Sequence, residues 1–382
     1  MRMEKHKLPQ IADVKELKGK YVFVRSALNV PIADGRVRDQ FRIIQSLPTI
    51  QFLVKEGARV IVCSHLGKDG TESIASVFEV LKQHVSVILS SEVTGVATTS
   101  LRNALQDGEV LLLENVRKDV REMENDVVFA QELASLAEIF VNDDFAASHR
   151  AHSSLHAICQ FLPSYVGINF AHEYEELSKA LTPVSPSLFI LGGAKFETKM
   201  PLVEKFLKLY DHIFIGGALA NDFFKAKGFP VGTSLVSDMS LEKSPLLSNP
   251  KMLLPVDVIV FDGTLQRTTT PYDVHEDEDM LDAGAQTTTM LADYISSAKT
   301  ILWNGPLGDY EHGFQEQTIA CAKLIADSEA FSVIGGGDTV ASIEALNNQD
   351  QYGFLSTAGG AMLTFLELGS LPALDALEQS KR

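Results

Sequence analysis

Short apolar runs alternate along this chain with longer segments in which apolar residues recur every three or four positions. The runs predict strands beginning at Tyr21, Val60, Val110, Ile139, Leu188, His212, Thr300 and Phe331. The longer segments predict helices, most clearly around residues 127–136, 200–210 and 340–346. Fully apolar strands that alternate with helices are typical of parallel sheets covered on both faces, so the predicted fold class is α/β.

The predicted strands end differently in the two halves of the chain. Basic residues on or after the first-half strand ends, or at a helix start, are Arg25, Arg42, His65, Lys68, Arg117, His149 and Arg150. Second-half strands run into glycines, at Gly192-Gly193, Gly216-Gly217, Gly305 and Gly335-Gly336-Gly337. Ligands of open parallel sheets bind beyond the carboxyl ends of the strands. The pattern predicts an anion held by side chains in the first half and phosphate held by backbone in the second.

Two second-half lysines, Lys195 and Lys199, lie one helical turn apart after Gly192-Gly193. An anion between them would offset their mutual repulsion, although the same spacing also suits an ordinary exposed helical face.

The glycine triplet at 335–337 leads into a predicted helix whose first backbone amides could bind phosphate. Asp338 is a candidate Mg²⁺ ligand there, while Asp338 or Thr339 could instead serve only as a helix cap. The P-loop and dinucleotide fingerprints are missing, which argues against standard NTPases and nicotinamide-dependent dehydrogenases but not against a nucleotide ligand.

Composition limits the possible partners and compartment. The 382 residues predict two domains, with a junction at Thr182-Pro-Val-Ser-Pro-Ser187, where prolines and small polar residues end the helical stretch 171–181. The formal net charge of −17 argues against nucleic acid or an anionic membrane surface as a partner. Three widely separated cysteines and the absence of a long apolar run predict a soluble, cytoplasmic protein.

These residues closely resemble the phosphoglycerate kinase family from about Lys20 to Leu377. The motifs that carry the resemblance, all in the family's order, are Asn29-Val-Pro31, Ser64-His-Leu-Gly67, Leu111-Leu-Leu-Glu-Asn-Val-Arg117, His149-Arg-Ala-His152, Gly192-Gly-Ala-Lys195 with Lys199, Trp303-Asn-Gly-Pro306, Gly335-Gly-Gly-Asp338 and Ser356-Thr357 with Gly359-Gly360-Ala361. Each motif alone is weak, but the whole set in register is very specific.

The resemblance implies two doubly wound, Rossmann-like parallel-sheet lobes that face a cleft and are joined by a hinge helix. Residues 1–172 would bind 3-phosphoglycerate, with residues 362–382 packing back on that lobe, and residues 173–361 would bind the Mg·nucleotide. The implied reaction is reversible phosphoryl transfer between 1,3-bisphosphoglycerate and ADP, in glycolysis or gluconeogenesis, by a monomer. Such chemistry needs positioning and charge neutralisation more than a general base.

The resemblance also assigns roles. Arg42 and Lys199 would be catalytic. Binding of the acid substrate falls to Asn29, Arg42, His65, Lys68, Arg117, His149 and Arg150. Binding of ATP or ADP falls to Gly192, Gly193, Lys195, Lys199, Gly216, Gly217, Asn304, Pro306, Glu311, Gly336, Gly337, Asp338 and Thr339, with Asp338 on Mg²⁺.

Several positions depart from the family pattern. Ala27 stands where the family has an Asp, Lys68 where it has an Arg, and Asp144 where it has an Ala, which adds negative charge beside an anion site. Ala218 and Ala358 replace glycines, and residues 262–282 match poorly. The alternative function is therefore a weakened or inactive relative used for ligand sensing or protein interaction.

Overall fold

The structure is a computed structural model that describes residues 8–194, 196–238 and 241–380. Contacts divide the chain into two compact units. Unit 1 comprises Met1–Glu175 with Leu368–Arg382, and unit 2 comprises Glu176–Glu367. The boundaries expected from the sequence were 172/173 and 361/362, so the contacts place each division a few residues later.

Unit 1 is an α/β unit with short helices and strands. Its elements are β1 (Tyr21–Ser26), β2 (Ile32–Ala33), β3 (Arg36–Val37), α1 (Phe41–Lys55), β4 (Arg59–Cys63), α2 (Ala75–Leu81), β5 (Val87–Leu89), α3 (Val96–Ala104), β6 (Val110–Leu112), α4 (Val127–Ala134), β7 (Ile139–Asp143), β8 (Ser164–Val166) and α5 (Ile168–Ala180), which runs across the division into unit 2.

Unit 2 repeats the alternation and adds a small antiparallel sheet. The remaining elements are β9 (Ser187–Leu191), α6 (Phe196–Phe206), β10 (His212–Ile215), α7 (Leu219–Ala226), β11 (Met252–Leu253), β12 (Val258–Phe261), β13 (Gln266–Thr269), β14 (Asp279–Ala283), α8 (Ala285–Ser297), β15 (Thr300–Asn304), α9 (Glu316–Ala326), β16 (Phe331–Gly335), α10 (Gly337–Glu344), β17 (Phe354–Leu355), α11 (Gly360–Leu368) and α12 (Pro372–Glu378), the last in unit 1.

Each unit is built on a six-stranded parallel sheet. The strand orders are β5-β6-β4-β1-β7-β8 and β11-β10-β9-β15-β16-β17, while β13-β12-β14 form the antiparallel sheet. In the unit 1 sheet the chain first adds strands on one side of β1 and then adds strands on its other side. In the unit 2 sheet the same reversal of strand order falls between β9 and β15. The α/β prediction is confirmed, and these reversals mark where ligands of doubly wound sheets bind.

The cores explain why the central strands form. β1, β4, β9 and β15 are buried along almost their whole length, since helices cover both faces of each sheet. Trp303 is fully buried in β15 and packs in the apolar core of unit 2. Within the described residues no single helix is long and apolar enough to cross a membrane, although the bent pair α11 and α12 has the combined length and composition.

Candidate functional site

Basic side chains gather where the strands of the unit 1 sheet end. Arg25 lies in β1 with 0% of its surface exposed, and His65 follows β4 by two residues. Arg117 follows β6 and is buried as well. Burial and then the charge of Arg25 lower the pKa of His65 well below its usual value, and burial and then Arg150 lower the pKa of Arg117. Arg25 and Arg150 both act on the pKa of His65 and of Arg117, so the four side chains form one electrostatic cluster.

Hydrogen bonds at Gly67 and Asn29 connect this cluster to Arg42 in the first turn of α1. The Asn29 side-chain oxygen accepts from the Gly67 amide at 2.9 Å, and Arg117 Nη1 donates to the Gly67 carbonyl at 2.6 Å. Arg42 Nη1 donates to the Asn29 carbonyl at 3.1 Å. Lys68 is exposed, and its carbonyl accepts from Arg117 at 3.3 Å. The predicted residues Asn29, Arg42 and Arg117 are thus joined through one loop.

His149 and Arg150 complete the basic cluster from the turn after β7. Arg150 Nε donates to His149 Nε2 at 3.2 Å. Burial and then the charge of Arg150 lower the pKa of His149. Two histidines of the cluster, His65 and His149, are therefore neutral near pH 7, and its positive charge comes from arginines.

Asp144 lies beside this cluster, as the sequence suggested, but its charge is matched by a partner. Its Oδ2 accepts from Arg25 Nη1 at 2.7 Å, and both side chains are 1% exposed. The carboxylate therefore forms a buried ion pair and is not an unbalanced charge within the basic cluster.

Unit 2 contains a cavity of about 710 Å³ at the carboxyl ends of β9, β10, β15 and β16. Predicted residues that line it are Gly193, Lys199, Gly217, Asn304, Pro306, Glu311, Gly336, Gly337 and Asp338. Gly192 and Gly216 belong to the same loops and Thr339 to the first turn of α10, but none of the three is among the lining residues, and Lys195 lies outside the described residues. The structure therefore brings most of the predicted nucleotide-binding set around one cavity.

The cavity lies at the sheet reversal between β9 and β15, where two backbone segments approach closely. The Gly192 amide donates to the Asn304 carbonyl at 2.9 Å, and the Gly193 amide donates to the Pro306 carbonyl at 2.7 Å. Gly305 has φ +92°, and a Cβ there would overlap with the Gly192 carbonyl oxygen. A larger residue would push the two loops apart, so this approach requires glycine.

Lys199 and the start of α10 supply groups at this cavity that could bind an anion. Lys199 is largely buried, and its Nζ donates to the Gly192 carbonyl at 2.6 Å. Gly336, with φ +103°, precedes the first turn of α10, which carries the exposed Asp338. Thr339 Oγ1 is buried without a hydrogen-bond partner among the described residues. An ammonium, a helix start and an unsatisfied hydroxyl are together suited to phosphate oxygens.

The donor set also fits Mg²⁺ in one particular way. In the described residues no group of three or more His, Cys, Asp or Glu side chains could hold a metal ion. A single carboxylate, Asp338, suits a Mg²⁺ that takes its other ligands from phosphate and water.

Two acidic cavity residues, Asp279 and Asp282 of β14, did not stand out in the sequence. Burial raises the pKa of Asp282 to about 7 and also raises that of Asp279. They lie in the poorly matching segment 262–282, and acidic residues in a short strand carry no recognisable binding pattern.

Ala218 has φ −61°, so the residue that replaces a family glycine is unstrained.

Comparisons with known proteins give one consistent family. The family model described as phosphoglycerate kinase matches residues 11–368. The phosphoglycerate kinase of Clostridium beijerinckii is 40% identical over 378 residues, covering 95% of this chain and 97% of the relative. That of Leptospira biflexa is 38% identical over 390 residues and covers 97% and 98%.

Solved structures agree with the sequence relatives. The phosphoglycerate kinase of Coxiella burnetii has a TM-score of 0.85 and 36% identity, covering 98% of this chain and 100% of the other. That of Pyrococcus horikoshii has a TM-score of 0.83 and 31% identity, with coverage of 97% and 98%. Since the family model and these relatives match nearly the whole length, the chain belongs to the phosphoglycerate kinase family.

Proposed function

We propose that this protein transfers a phosphoryl group reversibly between 1,3-bisphosphoglycerate and ADP, giving 3-phosphoglycerate and ATP. The observation that supports it most is the convergence of Gly193, Gly217, Gly336, Lys199 and Asp338 on one cavity at the sheet reversal of unit 2. Full-length membership of a family of glycolytic kinases supports the same function. The comparisons give no support to the alternative of an inactive relative.

The acid substrate is assigned to unit 1. Arg42, Arg117 and Arg150 supply positive charge for its phosphate and carboxylate, while Asn29 and the neutral His65 supply hydrogen bonds. Arginine suits both groups because its planar fork can donate two parallel hydrogen bonds. The exposed Lys68 adds a point charge at the edge of this set. His149 belongs to the same set through its contact with Arg150.

The nucleotide is assigned to the cavity of unit 2. Gly193, Gly217 and Gly336 line this cavity without side chains, so phosphate could approach the backbone there, and Asn304, Pro306 and Glu311 are assigned to the nucleoside side. Mg²⁺ carried by the nucleotide would be held by Asp338 and would neutralise phosphate charge. Gly192, Lys195, Gly216, Gly337 and Thr339 complete the proposed set.

Lys199 is the proposed stabiliser of the transferring group. Its Nζ is held by the Gly192 carbonyl, so the ammonium is positioned before the substrate arrives. Negative charge that develops on the phosphoryl oxygens during transfer would then be stabilised by a cation already in place, with little reorganisation of the site. Arg42 would act on the same group from unit 1. The proposal includes closure of the two units around their ligands, a monomeric state and a cytoplasmic location, the last consistent with three buried free cysteines.

A coupled assay with ATP and 3-phosphoglycerate tests the proposal. Lys199→Ala should lower kcat at least about a hundredfold, the typical effect of removing a fixed donor to a transition-state oxyanion. Lys205→Ala is the matched control, because Lys205 lies in the same helix but donates to the Leu366 and Glu367 carbonyls. That variant should keep its turnover and lose only stability. Wild-type turnover no higher than that of Lys199→Ala would refute the proposed reaction.

A further inference from the structure

Arg25 is fully buried, and each part of its guanidinium has a partner. Nε donates to Ser154 Oγ at 2.9 Å, and Nη1 donates to the Ser26 carbonyl at 3.0 Å and to Asp144 Oδ2 at 2.7 Å. Nη2 lies 2.9 Å from His65 Nδ1. A guanidinium held from several sides has one orientation, so its contact with His65 is geometrically fixed.

This contact determines where His65 carries its proton. A guanidinium can only donate hydrogen bonds, so Nδ1 of His65 must accept and the ring proton must lie on Nε2. The surrounding arginines and burial disfavour a second proton and lower the pKa of His65 well below its usual value. His65 is thus a neutral imidazole with an N–H donor on its Nε2 side.

Asp144 anchors the arrangement to the backbone. Its Oδ1 accepts from the Ala147 amide at 3.0 Å, and its own amide donates to Asn142 Oδ1 at 3.1 Å. Glu122, a second buried carboxyl group nearby, reaches Arg25 through Ser154, whose Oγ lies 2.6 Å from Glu122 Oε1. Asp144 is therefore the carboxylate that contacts Arg25 directly and is itself held in place.

We propose that Asp144 is a positioning residue: through Arg25 it holds His65 as the Nε2–H tautomer, which then donates a hydrogen bond to the anionic acid substrate. The part that concerns the substrate rests on the proposed function. The pair is formally neutral, so Arg25 contributes orientation to the site while Arg42, Arg117 and Arg150 contribute its charge.

A competing role for Asp144 predicts an opposite result. If the carboxylate acted only as a negative charge near the site, Asp144→Asn would strengthen the binding of 3-phosphoglycerate. If Asp144 positions Arg25 and His65, the same variant should weaken it. Asn keeps the Oδ1 that accepts from Ala147, so the turn after β7 is retained.

The experiment uses the full chain and three variants: Asp144→Asn, the double variant Arg25→Met with Asp144→Asn, and the control Asp126→Asn. The double variant removes both buried charges together, which costs much less stability than removing one. Asp126 caps α4 through the Phe129 amide at 2.7 Å, so its variant repeats the Asp-to-Asn change at a carboxylate that, like Asp144, accepts from a backbone amide. His65→Gln identifies the His65 signals.

Two readouts are required. Nitrogen-15 NMR of the ligand-free protein should show His65 with a protonated Nε2 in the wild type, and a mixture of tautomers in the double variant. Calorimetry should show the Kd of 3-phosphoglycerate rising at least tenfold in the double variant and at least threefold in Asp144→Asn. The Kd of Mg·ADP should change less than twofold, and Asp126→Asn should match the wild type in every respect.

The outcomes separate this inference from the proposed function. Unchanged His65 nitrogen shifts in the double variant, or tighter 3-phosphoglycerate binding by Asp144→Asn, would overturn the positioning role. A wild type that binds no 3-phosphoglycerate would overturn the proposed function and the donation to substrate. The tautomer measurement in the ligand-free protein would still decide whether Arg25 and Asp144 fix His65.

Discussion

The close approach of the loops that follow β9 and β15 can be tested at Gly305 with a control glycine of almost equal φ. Gly305 has φ +92° and Gly263 has φ +91°, so alanine costs about 1 to 2 kcal/mol at either position from the left-handed conformation alone. A Cβ on Gly263 meets nothing within 4 Å, whereas one on Gly305 overlaps with the Gly192 carbonyl and lies 3.1 Å from the Gly193 amide nitrogen. Overpacking of this kind adds about 1 to 3 kcal/mol.

Urea unfolding should therefore show Gly305→Ala to be less stable than Gly263→Ala by about 1 to 3 kcal/mol, the overpacking cost. Because relaxation must move the Gly192-Gly193 loop, the Kd of Mg·ATP should rise about tenfold in Gly305→Ala, equivalent to about 1.4 kcal/mol. Gly263→Ala should bind Mg·ATP like the wild type. If the two variants lose equal stability and Gly305→Ala binds Mg·ATP normally, the contact between the loops does not shape the nucleotide site.

Three further predictions concern pH, the core and the metal. Burial raises the pKa of Asp143 to about 7 in the folded chain, so the unfolded chain binds fewer protons between about pH 4 and 7 and stability should fall as pH rises through that range. Asp143→Asn keeps the acceptor for the Phe170 amide and should reduce that slope in urea titrations, leaving the part due to Asp282, whose pKa burial also raises to about 7; an unchanged slope would rule Asp143 out as a source. Trp303→Phe should lower the free energy of unfolding by about 1 to 3 kcal/mol, since the Gly305 carbonyl loses the buried indole N–H at 2.8 Å; a loss below 0.5 kcal/mol, about the net value of a weak hydrogen bond, would contradict this. Asp338→Asn should raise the Mg²⁺ concentration needed for half-maximal turnover at least about fivefold, since an amide is a weaker ligand for a hard cation, and a normal Mg²⁺ dependence would remove Asp338 as its ligand.

The sequence was most informative about the centres of the two parallel sheets. The eight predicted strands correspond to β6, β4, β1 and β7 in unit 1 and to β10, β9, β15 and β16 in unit 2. These are the inner strands, which must be apolar on both faces and therefore leave a continuous pattern. The edge strands β5, β8, β11 and β17 have only two or three residues each, too few for any periodicity to show.

The antiparallel sheet of unit 2 was not predicted for a different reason. Its strand β13 alternates between exposed and partly buried residues and includes polar threonines, so it resembles a loop in the sequence. The other edge strand of that sheet, β14, carries Asp279 and Asp282 into the cavity, which is why these side chains were unexpected. Their placement depends on pairing with β12, a contact between residues about twenty positions apart.

By itself, the sequence determined the α/β class, the inner strands and the division between basic and glycine-rich strand endings, since these follow from local periodicity and residue type. The tertiary structure alone decided which of those endings meet and which charges cancel. It pairs Asp144 with Arg25 and brings the Gly192 and Gly305 loops into contact. In each case the two partners lie more than a hundred positions apart in the sequence, so their burial and their contact depend on the tertiary fold.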